Sequence, residues 1–198
     1  MGIPLYRQAP GRAAGEGRDA TSESRRRSGT AGASLADMTN HTARPVPPAV
    51  LKELRISDDA GRPAVPRTDD EGGAPLRCCL RRSEPGERIA LVSYAPLRRW
   101  AAETGADPGA YDEQGPVFIH AEECAGPEDD RLPFTNAHRV VRRYSADGRI
   151  LGGRRVEAEE GFWPALAEAF ADPAVALVHV RAVEYGCFLY EVRRDDIA

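Results

Sequence analysis

The 198-residue chain carries 27 Lys and Arg against 31 Asp and Glu, a formal net charge of −4, and is 41% hydrophobic and 29% charged. That length suits one domain and a tail better than two domains, and the acidic balance removes any global electrostatic case for nucleic acid. No apolar run approaches the ~18 residues that cross a bilayer, and the glycines and prolines follow no period, which excludes a membrane span and a collagen-like fibre.

Residues 1–45 read as a disordered extension, because Met1 to about Asp37 holds too few large apolar residues to order itself. Arg25-Arg26-Arg27 invites a twin-arginine export reading, but Ser28 to Ser34 is small and polar where an apolar core is required, so export is rejected. Met38-Thr39-Asn40-His41 opens a more ordinary N-terminus, and the biological start is expected at Met38. Residues 46–198 are expected to form a single domain.

Ala49 to Arg55 follows Pro47-Pro48 and places Val50, Leu51 and Leu54 at helical spacing, which predicts a short helix lying over the core. Asp58 to Pro75 is rich in Asp, Gly and Pro and predicts a loop, leading into Leu76-Arg77-Cys78-Cys79-Leu80. Pro85-Gly86 holds the two central positions of a type II turn. Ile89 to Tyr94 then reads as a central strand. Pro96 opens a helix with Leu97, Trp100 and Ala101 inward and Gly105 placed to stop it, and Val117 to His120 predicts a second buried strand.

Ala121 to Ala137 is too irregular for a regular element and is the long loop in which a site is first sought. Asp147-Gly148 between His138–Tyr144 and Ile150–Val156 predicts a hairpin. Phe162, Leu166 and Phe170 mark an amphipathic helix from about Glu159 to Ala171, and Val175–Arg181 and Cys187–Arg193 predict two last strands. Hairpins outnumber alternating strand–helix units. The expected class is therefore α+β, a mostly antiparallel sheet with one long packed helix near the C-terminus and short helices elsewhere.

Four cysteines without a secretion signal argue against a disulfide scaffold and for a reducing cytoplasm. In an extended segment Cys78 and Cys79 point to opposite faces, so at most one of them serves any given site. His120 ends its strand, Cys124 follows after a three-residue gap, and Cys187 opens the last strand. Cys79, Cys124 and Cys187 with His120 make a Cys₃His set, a zinc composition, although no CxxC or HxxxH pair accompanies it. The same residues support a thiolate at Cys79 or Cys124 with His120 as its base, and Arg77 or Arg181 to hold an anionic substrate. Packing is the commonest fate of free cysteine, so structural, thiol and metal roles all stay open. His179 is expected to be structural, and His138 and His41 solvated. The arginine pairs are expected to form an ion-paired surface.

The strings Leu76-Arg77-Cys78-Cys79-Leu80, Glu84-Pro85-Gly86-Glu87, Leu91 to Pro96, Gly115 to His120 with Cys124, Val178 to Arg181, and Tyr185 to Phe188 resemble the bacterial family named domain of unknown function 1203 over about Val46 to Arg194. In that family's pattern, roughly Pro-Cys-Arg-x-Cys-Leu, Cys79 matches the second cysteine while Leu76 stands where the first is usual. A role needing both cysteines then requires Cys78 to substitute. The resemblance implies a fold boundary and no activity. The expectation is a cytoplasmic protein with a Cys/His-centred pocket at Cys79, His120, Cys124 and Cys187. It would be a thiol- or metal-dependent enzyme, zinc being the candidate metal, acting on a small molecule, with neither nucleic acid nor membrane as partner. The alternative is a non-catalytic small-ligand or protein interaction module with structural cysteines.

Overall fold

A computed structural model describes residues 41–194. The elements follow as α1 (Pro48–Ile56), β1 (Pro66–Asp69), β2 (Glu87–Tyr94), α2 (Pro96–Thr104), β3 (Gly115–His120), β4 (Arg139–Ser145), β5 (Ile150–Val156), α3 (Phe162–Ala171), β6 (Val175–Ala182) and β7 (Phe188–Arg193). Single 3₁₀ turns at Gly109–Tyr111 and Ala158–Glu160 complete the elements of the described residues. Residues 1–40 of the expected extension, and with them the start at Met38, lie outside the described residues, while Arg44 N donates to Glu191 O at 2.8 Å.

The expected architecture needs correction. Among the described residues the strands form two antiparallel sheets, three-stranded in the order β1-β2-β3 and four-stranded in the order β5-β4-β6-β7, with three short helices. The C-terminal helix is only ten residues long. Its predicted first turn fails because Gly161 adopts φ 79°, ψ 147°, outside helical space and accessible mainly to glycine, which separates the acidic 3₁₀ turn from α3. β1 was hidden in a predicted loop: it is a short edge strand opening on Pro66, and three of its four side chains are exposed, so no apolar alternation announces it.

α3 packs Phe162, Ala165, Leu166, Ala169 and Phe170 against Val141, Val178, Val180 and Val192 on one face of the four-stranded sheet. The opposite face, reached by the alternate residues Tyr144 and Leu177, is covered by Leu97, Trp100 and Ala101 of α2. A separate core joins Leu51 and Leu54 of α1 to Ile89, Ala90, Val92, Val117 and Ile119 of the three-stranded sheet. Tyr94 and Phe188 meet edge to face at 5.5 Å where the sheets adjoin. The β4–β5 hairpin turns at Gly148, whose φ of 79° and 2.9 Å approach of an added Cβ to Pro108 leave room only for glycine. His41, expected to be solvated, is buried and stacks on Phe170 at 5.1 Å. His138 is half-buried and pairs with Glu184 at 3.1 Å. Among the described residues no helix is long and apolar enough to cross a membrane.

Candidate metal centre

The site begins with a turn where an extended segment was expected. Leu80 N donates to Leu76 O at 3.0 Å, Leu76 N donates to Arg81 O at 2.9 Å, and Leu80 takes the left-handed φ of 58°. A non-glycine residue holds that conformation at a cost of about 1–3 kcal/mol, so the surroundings must enforce it. They do: Arg77 N donates to Phe118 O, Val46 N donates to Arg77 O, and the buried Arg77 guanidinium donates to Phe188 O at 2.8 and 2.6 Å. Arg77 therefore clamps the turn to β7.

On a turn, adjacent side chains no longer alternate between faces, and both thiols reach the end of β3. Cys78 Sγ lies 3.3 Å and Cys79 Sγ 3.8 Å from His120 Nδ1, the two sulfurs are 3.9 Å apart, and the His120 amide donates to Cys78 Sγ at 3.3 Å. Beyond His120 the chain reverses, with Ala121 N donating to Arg88 O and Arg55 of α1 donating to His120 O at 3.1 Å and Glu122 O at 2.6 Å. Cys124 thereby returns to the cluster. One ligating atom each from Cys78, Cys79, His120 and Cys124 falls within 4.8 Å of all the others.

These separations can be set against a zinc tetrahedron. Zn–S bonds of about 2.3 Å and Zn–N bonds of about 2.0 Å require S–S edges of about 3.8 Å and S–N edges of about 3.5 Å. The three edges just given lie within about 0.3 Å of those values.

Glu87 stands behind the imidazole. Its Oε1 is 3.4 Å from His120 Nε2, Arg81 donates to both its oxygens at 3.0 and 2.6 Å, and the Glu84 amide donates to Oε2 at 2.8 Å. The Arg81 guanidinium, aided by the Glu84 amide and His120, holds the Glu87 carboxyl down at about 2 despite its partial burial. Cys79 is held below the ordinary thiol range, first by the hydrogen bond from the Cys78 thiol, then by the Arg81 amide and the neighbouring His120 and Arg81 charges. Donating that bond, together with burial, pushes Cys78 the other way.

Two clefts flank the cluster. Cys79 lines one of about 550 Å³, walled by Arg81 and the Pro127–Pro133 segment. Cys78 and Cys124 line the other, of about 330 Å³, with Leu51, Lys52 and Arg55 of α1. Pro45 and Pro127 line both.

Of the residues chosen from sequence, Cys79, His120 and Cys124 come together, and Cys187 is not in the group. It sits in the β6–β7 connection, its Sγ 3.8 Å from Tyr185 O, and Cys78 occupies the fourth corner. Neither Arg77 nor Arg181 lines either of these two clefts: Arg77 is spent on backbone carbonyls, and Arg181 on Glu113 and Gly186 O. The sequence reading missed Cys78, Glu87 and Arg81. Glu87 has a signal in hindsight, since the Pro85-Gly86 turn starts β2 at Glu87 and the register pairs Ile89 with His120, making Glu87 a diagonal neighbour.

A search of curated proteins and one of solved structures returned no match. The family model described as "Protein of unknown function (DUF1203)" matches residues 73–194, which hold the whole cluster with Glu87 and Arg81. With well over half of its length in that match, the chain belongs to the DUF1203 family.

Proposed function

We propose that this protein is a zinc protein whose functional centre is held by Cys78, Cys79, His120 and Cys124, with Glu87 orienting the histidine. The observation that carries the reading is the mutual approach of four donor atoms within 4.8 Å. Three soft thiolates and an imidazole form a set that selects zinc over hard cations. The Glu87–His120 contact supplies the carboxylate–histidine arrangement that fixes the ring and raises the basicity of the ligating nitrogen. Nδ1 is then the ligand and Nε2 carries the proton toward Glu87.

The centre is a working site and not a remote staple, because its ligands form wall in both clefts. A small molecule in either cleft lies beside the ion's ligands, and the ion would act on it as a Lewis acid or template only where one of the four ligands gives way. In this reading residues 46–198 form the single domain that presents the centre.

The test is metal content by mass spectrometry on protein purified without chelator or polyhistidine tag, with Cys78→Ser and His120→Ala beside it. Zinc near one per chain, lost in both variants, supports the reading. A metal-free wild type overturns it.

The order Cys79, His120, Glu87 favours a second reading, thiol catalysis, in which His120 is the base and Glu87 its orienting group. Metal-free wild-type protein in which iodoacetamide alkylates Cys79 rapidly near neutral pH, and slowly in His120→Ala, would support it.

A further inference from the structure

Four protein ligands close a zinc tetrahedron and leave no place for a ligand from outside. The four here are not held alike. Cys78 and Cys79 ride on the clamped turn, and His120 sits at the end of a paired strand with Glu87 behind its ring. Cys124 lies on a segment without regular secondary structure, and its thiol makes no hydrogen bond with the described residues. From Glu123 to Asp130 no backbone group is hydrogen-bonded to another described residue, and Gly126 takes φ 91° within that stretch. Such a segment moves at little cost.

The cleft beside Cys124 is suited to what replaces it. At about 330 Å³ it is at the small end of ligand cavities. Val46 and Leu51 give it an apolar wall, and Lys52 and Arg55 bring two cations against the one carboxylate of Glu123. Arg55 spends Nε and Nη2 on the carbonyls of His120 and Glu122, which leaves Nη1 without a hydrogen bond among the described residues.

We infer that Cys124 is the exchangeable ligand of the centre, and that its place is taken from this cleft by a small organic thiolate bearing a carboxylate. This rests on the zinc reading above. The exchange balances simply: the Zn–S bond to Cys124 breaks, its thiolate takes a proton from solvent, and the incoming thiolate forms one new Zn–S bond. The charge around the ion is unchanged, and the carboxylate faces Lys52 and Arg55.

The experiment uses the full chain loaded with cobalt, whose visible bands report thiolate count and geometry, titrated with mercaptoacetate, 2-mercaptoethanol and acetate. Cys124→Ala is expected to keep one cobalt per chain with affinity reduced less than about tenfold, whereas Cys78→Ala reduces it more than about 100-fold. Mercaptoacetate is expected to shift the bands of wild type, to bind Cys124→Ala at least about tenfold more tightly, and to outcompete 2-mercaptoethanol by about tenfold. Lys52→Ala removes that preference. Loss of cobalt from Cys124→Ala as complete as from Cys78→Ala, or wild-type bands unmoved by mercaptoacetate, overturns the inference and leaves the zinc centre standing. A wild type that takes up no cobalt sinks the zinc reading itself. The wild-type titration decides even if Cys124→Ala does not fold.

Discussion

His120 Nε2 faces Glu87 Oε1 at 3.4 Å, on the side of the ring opposite the two thiols that approach Nδ1. Glu87 is itself fixed by Arg81 and by the Glu84 amide, so the carboxylate is a rigid support. Replacing Glu87 with Gln keeps the shape and removes the charge. Zinc affinity of Glu87→Gln, measured by competition with a chromogenic chelator, is expected to fall about 10- to 100-fold. Stability should fall by no more than about 1 kcal/mol, since the Arg81–Glu87 pair is partly exposed. Unchanged affinity would remove Glu87 from the site.

Cys78 and Cys187 separate the geometry from the composition. Cys187→Ser is expected to retain full metal content and Cys78→Ser to lose it, by mass spectrometry of the purified proteins. The reverse pattern would restore Cys187 as a ligand and require the Leu76–Leu80 turn to open.

His179 is fully buried, between the rings of Tyr144 at 4.7 Å and Phe188 at 5.1 Å, and its Nε2 lies 3.8 Å from Glu191 Oε2. Burial holds its imidazole below the ordinary range despite Glu191, and Arg181 and Arg142 add to the effect. Below about pH 6.5 the unfolded chain takes up a proton that the folded chain refuses, so stability declines as pH falls, by at most about 1.4 kcal/mol per pH unit. Burial alone would raise the Glu191 carboxyl, but His179 and Arg193 outweigh it and hold it low, which adds a second decline below about pH 4.5. Urea midpoints measured from pH 7.5 to 4 are expected to show both declines. His179→Gln should flatten the first and, by removing one of the two partners that hold Glu191 low, weaken the second; an unflattened first decline would contradict the assignment.

Leu166 is the buried centre of α3 against the four-stranded sheet, away from the thiol cluster. Leu166→Ala is expected to destabilise the fold by about 2–5 kcal/mol in chemical denaturation while leaving metal content at one per chain. A parallel loss of metal would show that the two cores are coupled.

How much of this could be read beforehand follows from the range of each interaction. α1, α2 and the β4–β5 hairpin were legible because proline, glycine and apolar spacing act within a few residues, as at Pro96 and Gly105. The division into two sheets was not legible, because it depends on β2 choosing β3 and β4 choosing β6, pairings that local propensity does not encode. At the site, Cys79, His120 and Cys124 were legible by residue type. Cys78 was excluded by assuming an extended backbone, and only the clamp from Arg77 to Phe188, 111 residues away, reveals the turn.

Cys78 and Cys79 are sequence neighbours on one turn, so an ion that binds both closes no loop between them. Recruiting His120, 41 residues beyond Cys79, then ties the ends of a long stretch of chain together. A covalent bridge around such a loop lowers the entropy of the unfolded chain by an amount worth about 4 kcal/mol. Cys78, Cys79 and Cys124 are free, and an ion at this turn would serve as their reversible substitute for a cross-link, opened by a chelator where a disulfide needs a reductant.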